Sequence, residues 1–278
     1  MVDGCAVKLA EAMSQEILVL GPTGKTGRRV VRALSAAGVQ IRPASRSSAV
    51  RFDWSDESTW QPALHGVTAA YVIAPYDPAA AEPFVRLAKS SGVRRLVLLS
   101  GRGLDEAPAE FFQGMRAAEE ALRASDLSWT ILRANNFNQN FSEEIWESEV
   151  RAGRLSLPVD GTPEPFVDVQ DIAEVATLVL TSNGEHDGQT YNLTGPEALT
   201  FTDALRKISP AIELVELTPA EYHDALLSQG VPEAEAAELN AVYEAMRKGL
   251  LATPTDDITR LLGRPATSFD TYVATTWR

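Results

Sequence analysis

Apolar runs and amphipathic stretches alternate along the first half of the chain. Ile17-Leu18-Val19-Leu20 is an unbroken apolar run, as a strand buried on both faces requires. Arg28 to Leu34 follows with Val30, Val31 and Leu34 on one helical stripe. Gly38 ends that helix. Strands are then predicted over Val39–Ala44, Val50–Trp54, Thr68–Ile73, Arg94–Ser100 and Trp129–Arg133. Helices are predicted between them over 55–64, from Asp77-Pro78 to Ser91, and over 106–124. Regular alternation of this kind predicts an α/β fold, a Rossmann-type doubly wound parallel sheet.

The later pattern is less regular. A helix is expected over Phe141–Arg151, strands over 155–158 and 165–169, and a helix capped by Asp171 and ending at Leu180. Asn183-Gly184 is a turn signal, and 190–193 a strand. After Thr200 come a helix, a strand over 212–217, and three or four helices, with Thr218 and Glu221 as a capping box. We expect a Rossmann domain over 16–154. A smaller C-terminal substrate-binding cap over 155–278 is expected to interleave with it in a single compact unit.

Between the first strand and helix stands Gly21-Pro22-Thr23-Gly24-Lys25-Thr26-Gly27. A glycine turn there presents backbone N–H groups and a helix N-terminus to a pyrophosphate. Gly21 serves the tight turn, Gly24 the close approach of phosphates, and Gly27 the packing of helix on strand. A triphosphate P-loop needs glycine five residues before Gly24, where Val19 stands, so that reading is rejected.

A carboxylate about 20 residues beyond the glycines binds a ribose 2′-hydroxyl; an arginine accommodates a 2′-phosphate. Arg46, between serines, occupies that place, which predicts NADP(H). The other expected cofactor contacts are Thr23, Lys25, Thr26, Asp53, Ala74, Pro75, Ser100 and Asn135. For Asp53, a bond to the adenine amino group and a helix cap are both open, with Phe52 or Trp54 flanking the ring in the first case.

Charge sharpens this picture. The chain of 278 residues carries −13 overall. Yet from Ile17 to Phe52 there are seven Lys or Arg and no Asp or Glu. That local basicity suits a small anionic ligand, and the overall charge argues against nucleic acid. One cysteine, Cys5, and three histidines exclude a disulfide framework and argue against a zinc site, so no metal is expected. No apolar run approaches the length of a membrane span, and a reducing cytoplasm is the expected compartment. Residues 1–15 read as a loose extension, with Met13 as an alternative start.

Three segments carry a family resemblance: the glycine turn, Val93–Ser100 and Trp129–Arg133. They resemble an NmrA-like atypical short-chain dehydrogenase/reductase. Phe52-Asp53-Trp54, Phe141–Glu144, Pro165-Phe166-Val167 with Asp171-Ile172-Ala173, and Thr194–Glu197 resemble the ergot alkaloid reductases, including festuclavine and agroclavine dehydrogenases. The resemblance implies NADPH and hydride delivery to an iminium carbon in secondary metabolism. Related members reduce quinones, azo dyes or triarylmethane dyes, or sense redox state without turnover.

Short-chain reductases commonly use Tyr-x-x-x-Lys after the fifth strand. Counting back from Glu119, which matches a family-typical glutamate, those positions are Phe111 and Met115. Neither transfers a proton. Both share a predicted stripe with Ala118 and Leu122, so core packing and pocket lining are both open. Iminium reduction needs no proton at carbon, whereas ketone reduction does. Phe111, Met115, Phe137 and Trp146 suit a flat apolar or cationic aromatic substrate, with Asn136, Asn138 and Tyr222 as polar contacts. Ser100 is the candidate catalytic hydroxyl, and Asp105 and Tyr222 are possible proton sources. Three functions stay open: an NADPH-dependent reductase, a cofactor-sensing binding protein, and a non-redox enzyme. A monomer or homodimer is expected.

Overall fold

The computed structural model describes residues 16–277, so Cys5 and Met13 lie outside the described residues. The chain forms two compact units. The first runs to Ser100 and adds Gln113–Arg133 and Ile172–Tyr191. The second comprises Gly101–Phe112, Ala134–Asp171 and the chain from Asn192. Both are discontinuous, and a division after residue 154 falls inside a strand.

The first unit is built on strands β1 (Glu16–Leu20), β2 (Gln40–Ser45), β3 (Val50–Arg51), β4 (Ala69–Ile73), β5 (Arg95–Gly101), β6 (Ser128–Ala134) and, beyond β7 (Arg154–Leu157), β8 (Gln189–Leu193). They form a seven-stranded sheet in the order β3-β2-β1-β4-β5-β6-β8. β1 pairs in parallel with β2 and β4, β2 with β3, and β4 with β5. Strand order reverses beside β1, which makes that edge the switch point of a doubly wound sheet. Ile17, Leu18 and Val19 are fully buried, as helices on both faces demand.

The helices, in chain order, are α1 (Lys25–Ala36), α2 (Trp60–Leu64), α3 (Ala81–Ser90), α4 (Gln113–Arg123), α5 (Glu147–Arg151), α6 (Val169–Thr181), α7 (Phe201–Ile208), α8 (Pro219–Ser228), α9 (Glu233–Arg247), α10 (Asp257–Leu262) and α11 (Phe269–Thr276). The first unit's core joins Leu18, Leu20, Phe84, Leu96, Leu98 and Ile131. The second has its own aromatic core of Phe141, Trp146, Phe166, Phe201 and Phe269. A two-stranded parallel pair, β7 with β9 (Glu213–Glu216), completes it.

Several boundaries differ from the pattern-based expectation. The strand predicted to Trp54 stops at Arg51: the last ladder bond runs from Phe52 N to Ser45 O at 3.0 Å, and Asp53 N donates instead to Thr59 Oγ1 at 3.0 Å. The helix predicted from Glu106 begins at Gln113. Residues 165–169 make a single bridge, Phe137 to Val167, instead of a strand. α6 is capped by Asp168, whose carboxylate accepts from Gln170 N at 2.8 Å, and not by Asp171. The Thr218–Glu221 capping box is present at the start of α8.

Candidate functional site: a dinucleotide cradle and a buried polar cluster

β1 delivers the chain into the glycine turn. Gly21 has φ +64°, a conformation that a side chain disfavours, and its N–H donates to Ala44 O at 3.1 Å. Gly24 N donates to Gly21 O at 3.0 Å and stands at the N-cap of α1. A Cβ at Gly27 would lie 2.0 Å from Gly21 O, so only glycine lets the first turn of α1 rest on the loop. No side chain caps this helix and no acid lies in its first turn. Its N-terminal N–H groups and positive dipole end therefore face outward undiminished. These features fit a pyrophosphate. Thr23 is exposed, whereas Lys25 and Thr26 are buried within the turn.

At the carboxyl end of β2, Ser45 Oγ accepts from Ser47 N at 3.3 Å and Ser48 N at 3.1 Å. This Ser turn carries Arg46 on its exposed rim. Asp53 accepts from the Ser55 hydroxyl at 2.8 Å and its N–H at 3.0 Å. Those two bonds, reinforced by Arg46 and Arg51, hold its carboxyl below the usual range. The cap of the following 3-10 turn is Asp56, not Asp53. Phe52 is buried with its ring centroid 5.0 Å from Trp54 and 5.7 Å from Phe84, so it packs the core and does not flank a ligand.

The loop after β4 contains Ala74 and Pro75. A Cβ on Gly114, in α4, would lie 2.0 Å from Pro75 O and 2.5 Å from Tyr76 O. Gly114 thus lets α4 abut that loop directly. Met115 lies one residue further on, half-buried. Phe111 is not on this helix, which removes the shared stripe expected of the pair.

Ser100, at the end of β5, is buried and donates to Glu119 Oε1 at 2.7 Å. The same carboxylate accepts from Arg133 Nε at 2.9 Å and Nη2 at 2.7 Å, and from Arg123 Nη2 at 2.8 Å. Burial pushes Glu119 up, but the bonds from Arg133 and Ser100 outweigh it and hold the carboxyl below the usual range. The Ser100 proton is therefore committed to a structural bond, which leaves only its oxygen lone pairs for a ligand.

The second unit contains a polar cluster that sequence reasoning missed. Glu164 is 1% exposed. Its Oε1 accepts from Asn135 Nδ2 at 2.7 Å and Asn136 Nδ2 at 3.1 Å. Its Oε2 is buried and makes no hydrogen bond among the described residues. Burial pushes the carboxyl up to about 7, against the Asn136 bonds and the Arg102 charge. Arg102 does not pair with it directly. Its Nη1 donates to Asn135 Oδ1 at 3.2 Å and Leu251 O at 3.1 Å, and its Nη2 to Thr253 O at 2.8 Å. Asn135 thus bridges guanidinium and carboxyl, with both ends of its amide engaged. The only sequence signal was an acid between two prolines, Pro163-Glu164-Pro165.

The remaining candidates separate. Phe111 lines an open groove of about 740 Å³ with Ala220, His223, Ala237 and Asn240. His223 there contacts Asn240 at 3.4 Å and Glu233 at 3.1 Å. Asn136 and Phe137 follow β6 directly. Trp146 is 5% exposed, 4.9 Å from Phe141 and 5.2 Å from Phe201, and belongs to the core rather than to a pocket. Asn138 is fully buried, which removes it as a ligand contact. Tyr222 packs edge-on against Tyr243 at 5.1 Å, and burial raises its phenol. Asp105 is exposed on the loop after β5. Among the described residues no acid, histidine or cysteine group is arranged to hold a metal, and no helix is long and apolar enough to cross a membrane.

Sheet, switch point and glycine cradle together define a Rossmann-type dinucleotide-binding protein. The NAD(P)H-binding family matches residues 21–183, and the chain belongs to that family. A (4-alkanoyl-5-oxo-2,5-dihydrofuran-3-yl)methyl phosphate reductase of Streptomyces griseus is 32% identical, over 93% of this chain and 96% of its own length. Agroclavine dehydrogenase of Claviceps fusiformis is 30% identical, over 87% and 92%. The solved NADPH complex of an Escherichia coli quinone oxidoreductase shares the fold with a TM-score of 0.79 at 24% identity, over 94% of this chain and 100% of that one.

Proposed function

We propose that the protein is an NADPH-dependent reductase acting on an imine, iminium or conjugated aromatic small molecule without a Tyr–Lys pair. One observation carries this reading: the cradle ends β1 while an exposed Arg46, with no acid beside it in the Ser turn, ends β2. Bound NADPH supplies the hydride. The chain's residues do the rest. α1 and the glycine turn hold the pyrophosphate, Arg46 takes the 2′-phosphate, and Asp53 stays ionised to accept a donor from the adenine.

No side chain among Ser100, Phe111 and Met115 offers a mobile proton. Ser100's is tied to Glu119, and the other two have none. That favours an electrophile already cationic, whose charge hydride neutralises. The agroclavine dehydrogenase relationship supports the same substrate class. The test is NADPH oxidation across paired panels of iminium salts, imines, quinones and triarylmethane dyes. Turnover of iminium salts supports the proposal. Tight NADPH binding with no turnover of any panel member supports instead the cofactor-sensing reading, which the tied Ser100 also favours.

A further inference from the structure

Glu164 has no place in the cofactor contacts, yet its surroundings are built around it. Three features need an explanation. The carboxyl is sealed from solvent, one oxygen lacks any partner, and the nearest cation is held away by an interposed amide. A structural ion pair would place Arg102 on the carboxylate, as Arg133 is placed on Glu119. Here Arg102 is anchored elsewhere, on the Leu251 and Thr253 carbonyls.

The asparagines indicate what the arrangement serves. A carboxylate only accepts hydrogen bonds, so both amides must turn their NH₂ groups toward Oε1. For Asn135 the oxygen is then taken by Arg102. For Asn136, half-buried and two residues past the carboxyl end of β6, the NH₂ group is taken by Glu164 Oε1 at 3.1 Å and Met246 Sδ at 3.5 Å, and the amide oxygen is not among the sealed polar atoms. Ligands of doubly wound sheets lie beyond the carboxyl ends of the strands. An amide oxygen backed by a buried carboxylate is an acceptor for positive charge.

We propose that Glu164 is a positioning residue that supplies the buried counter-charge for a cationic substrate, acting through the Asn136 amide. The inference rests on the iminium reading given above. In the free protein near neutral pH the carboxyl holds its proton about half the time. A cation seated against Asn136 favours the carboxylate, and the proton leaves to bulk water: Glu164–COOH plus cation gives Glu164–COO⁻ with bound cation plus H⁺. The titratable groups around Glu164 are Arg102, with Glu106 beyond it, and Tyr243 of α9. Burial holds the Tyr243 phenol neutral, and Arg102 stays charged, so neither titrates in this range.

The test is calorimetric binding to the full chain saturated with NADP. The probes are N-methyl-3,4-dihydroisoquinolinium, a permanent iminium cation, and 3-methyl-1,2-dihydronaphthalene, its neutral isostere. With a midpoint at about 7, the cation's Kd should weaken about 30-fold between about pH 8.5 and about pH 5.5. The isostere should change less than about twofold. Two buffers of different ionisation heat should show about half a proton released per cation bound near pH 7, in the wild-type chain. Glu164→Gln should bind the cation with no pH dependence and no proton release. A pH-independent Kd for a cation that the NADPH-loaded chain reduces in a parallel turnover assay overturns this inference and leaves the iminium reading standing. Binding of the cation at neither pH, or reduction of neutral quinones alone, overturns both.

Discussion

Gly114→Ala tests how the loop after β4 is held. The added methyl carbon would stand 2.0 Å from Pro75 O, 2.5 Å from Tyr76 O and 2.9 Å from Tyr76 C. A carbon–oxygen contact relaxes only beyond about 3.3 Å, so α4 and the loop must part by more than about 1 Å. All three atoms are backbone, and no side chain can swing aside. Two effects oppose each other. Alanine in place of glycine favours a helix by about 1 kcal/mol. Overpacking against rigid backbone costs about 1–3 kcal/mol or more, and three close atoms at once place this case at the upper end. The net loss is about 2 kcal/mol, a fall in Tm of roughly 4 °C for a chain of this size. Because the loop follows β4 beside the switch point, NADPH affinity should drop at least about tenfold, or about 1.4 kcal/mol. Thermal unfolding and fluorescence titration read the two effects, with Gln113→Ala, exposed at the start of the same helix, as the control. A variant with raised Tm and unchanged Kd would show that α4 does not brace this loop.

Other outcomes follow from the charged groups. Glu164 keeps its proton in the fold up to about 7, against 4.5 for an ordinary glutamate, so the unfolded chain ionises first as pH rises. Stability must then fall between those two values, by up to about 3 kcal/mol, and be level outside them. Glu164→Gln should lose that fall and exceed wild type in urea midpoint at about pH 8, and parallel pH trends for the two proteins would refute it. Arg46→Glu should weaken NADPH at least about tenfold while sparing NADH; equal loss for both removes the 2′-phosphate assignment. Ser100→Ala should cost about 1 kcal/mol of stability by removing one of four bonds to Glu119, with kcat within about tenfold. A far larger loss of kcat at unchanged Tm would return Ser100 to the chemistry.

The parallel sheet was legible because its central strands are apolar on both faces. Ile17–Leu20 and Leu96–Leu98 admit no other reading at that length. The misplaced elements share a different cause: short turns that imitate the neighbouring element. From Gly103 to Phe111 the chain makes single helical-type bonds, Ala107 N to Gly103 O at 3.0 Å and Phe111 N to Pro108 O at 3.1 Å. Pro108 cannot extend them, and Phe112, with φ +55°, ends the segment before α4 begins. The stripe that joined Phe111 to Met115 depended on a continuous helix, and it fails with the helix.

The cradle and the Glu164 cluster differ in how their parts are distributed. Gly21, Gly24 and Gly27 lie within seven residues, and the steric demand on each is local: a positive φ at one, a helix start at another, a 2.0 Å approach at the third. A local demand leaves a local pattern. Arg102, Asn135, Asn136, Glu164 and Leu251 come from four separate stretches, and each looks ordinary where it stands. Trp146 errs the opposite way. Its size suggested a ligand face, but Phe141 nearby in sequence and Phe166 and Phe201 from distant stretches surround it in the core. Burial is decided by those distant partners, so aromatic content alone does not separate pocket from core. For the same reason the pyrophosphate cradle can be read from consecutive residues, whereas the proposed substrate charge rests on one acid whose partners only the fold assembles.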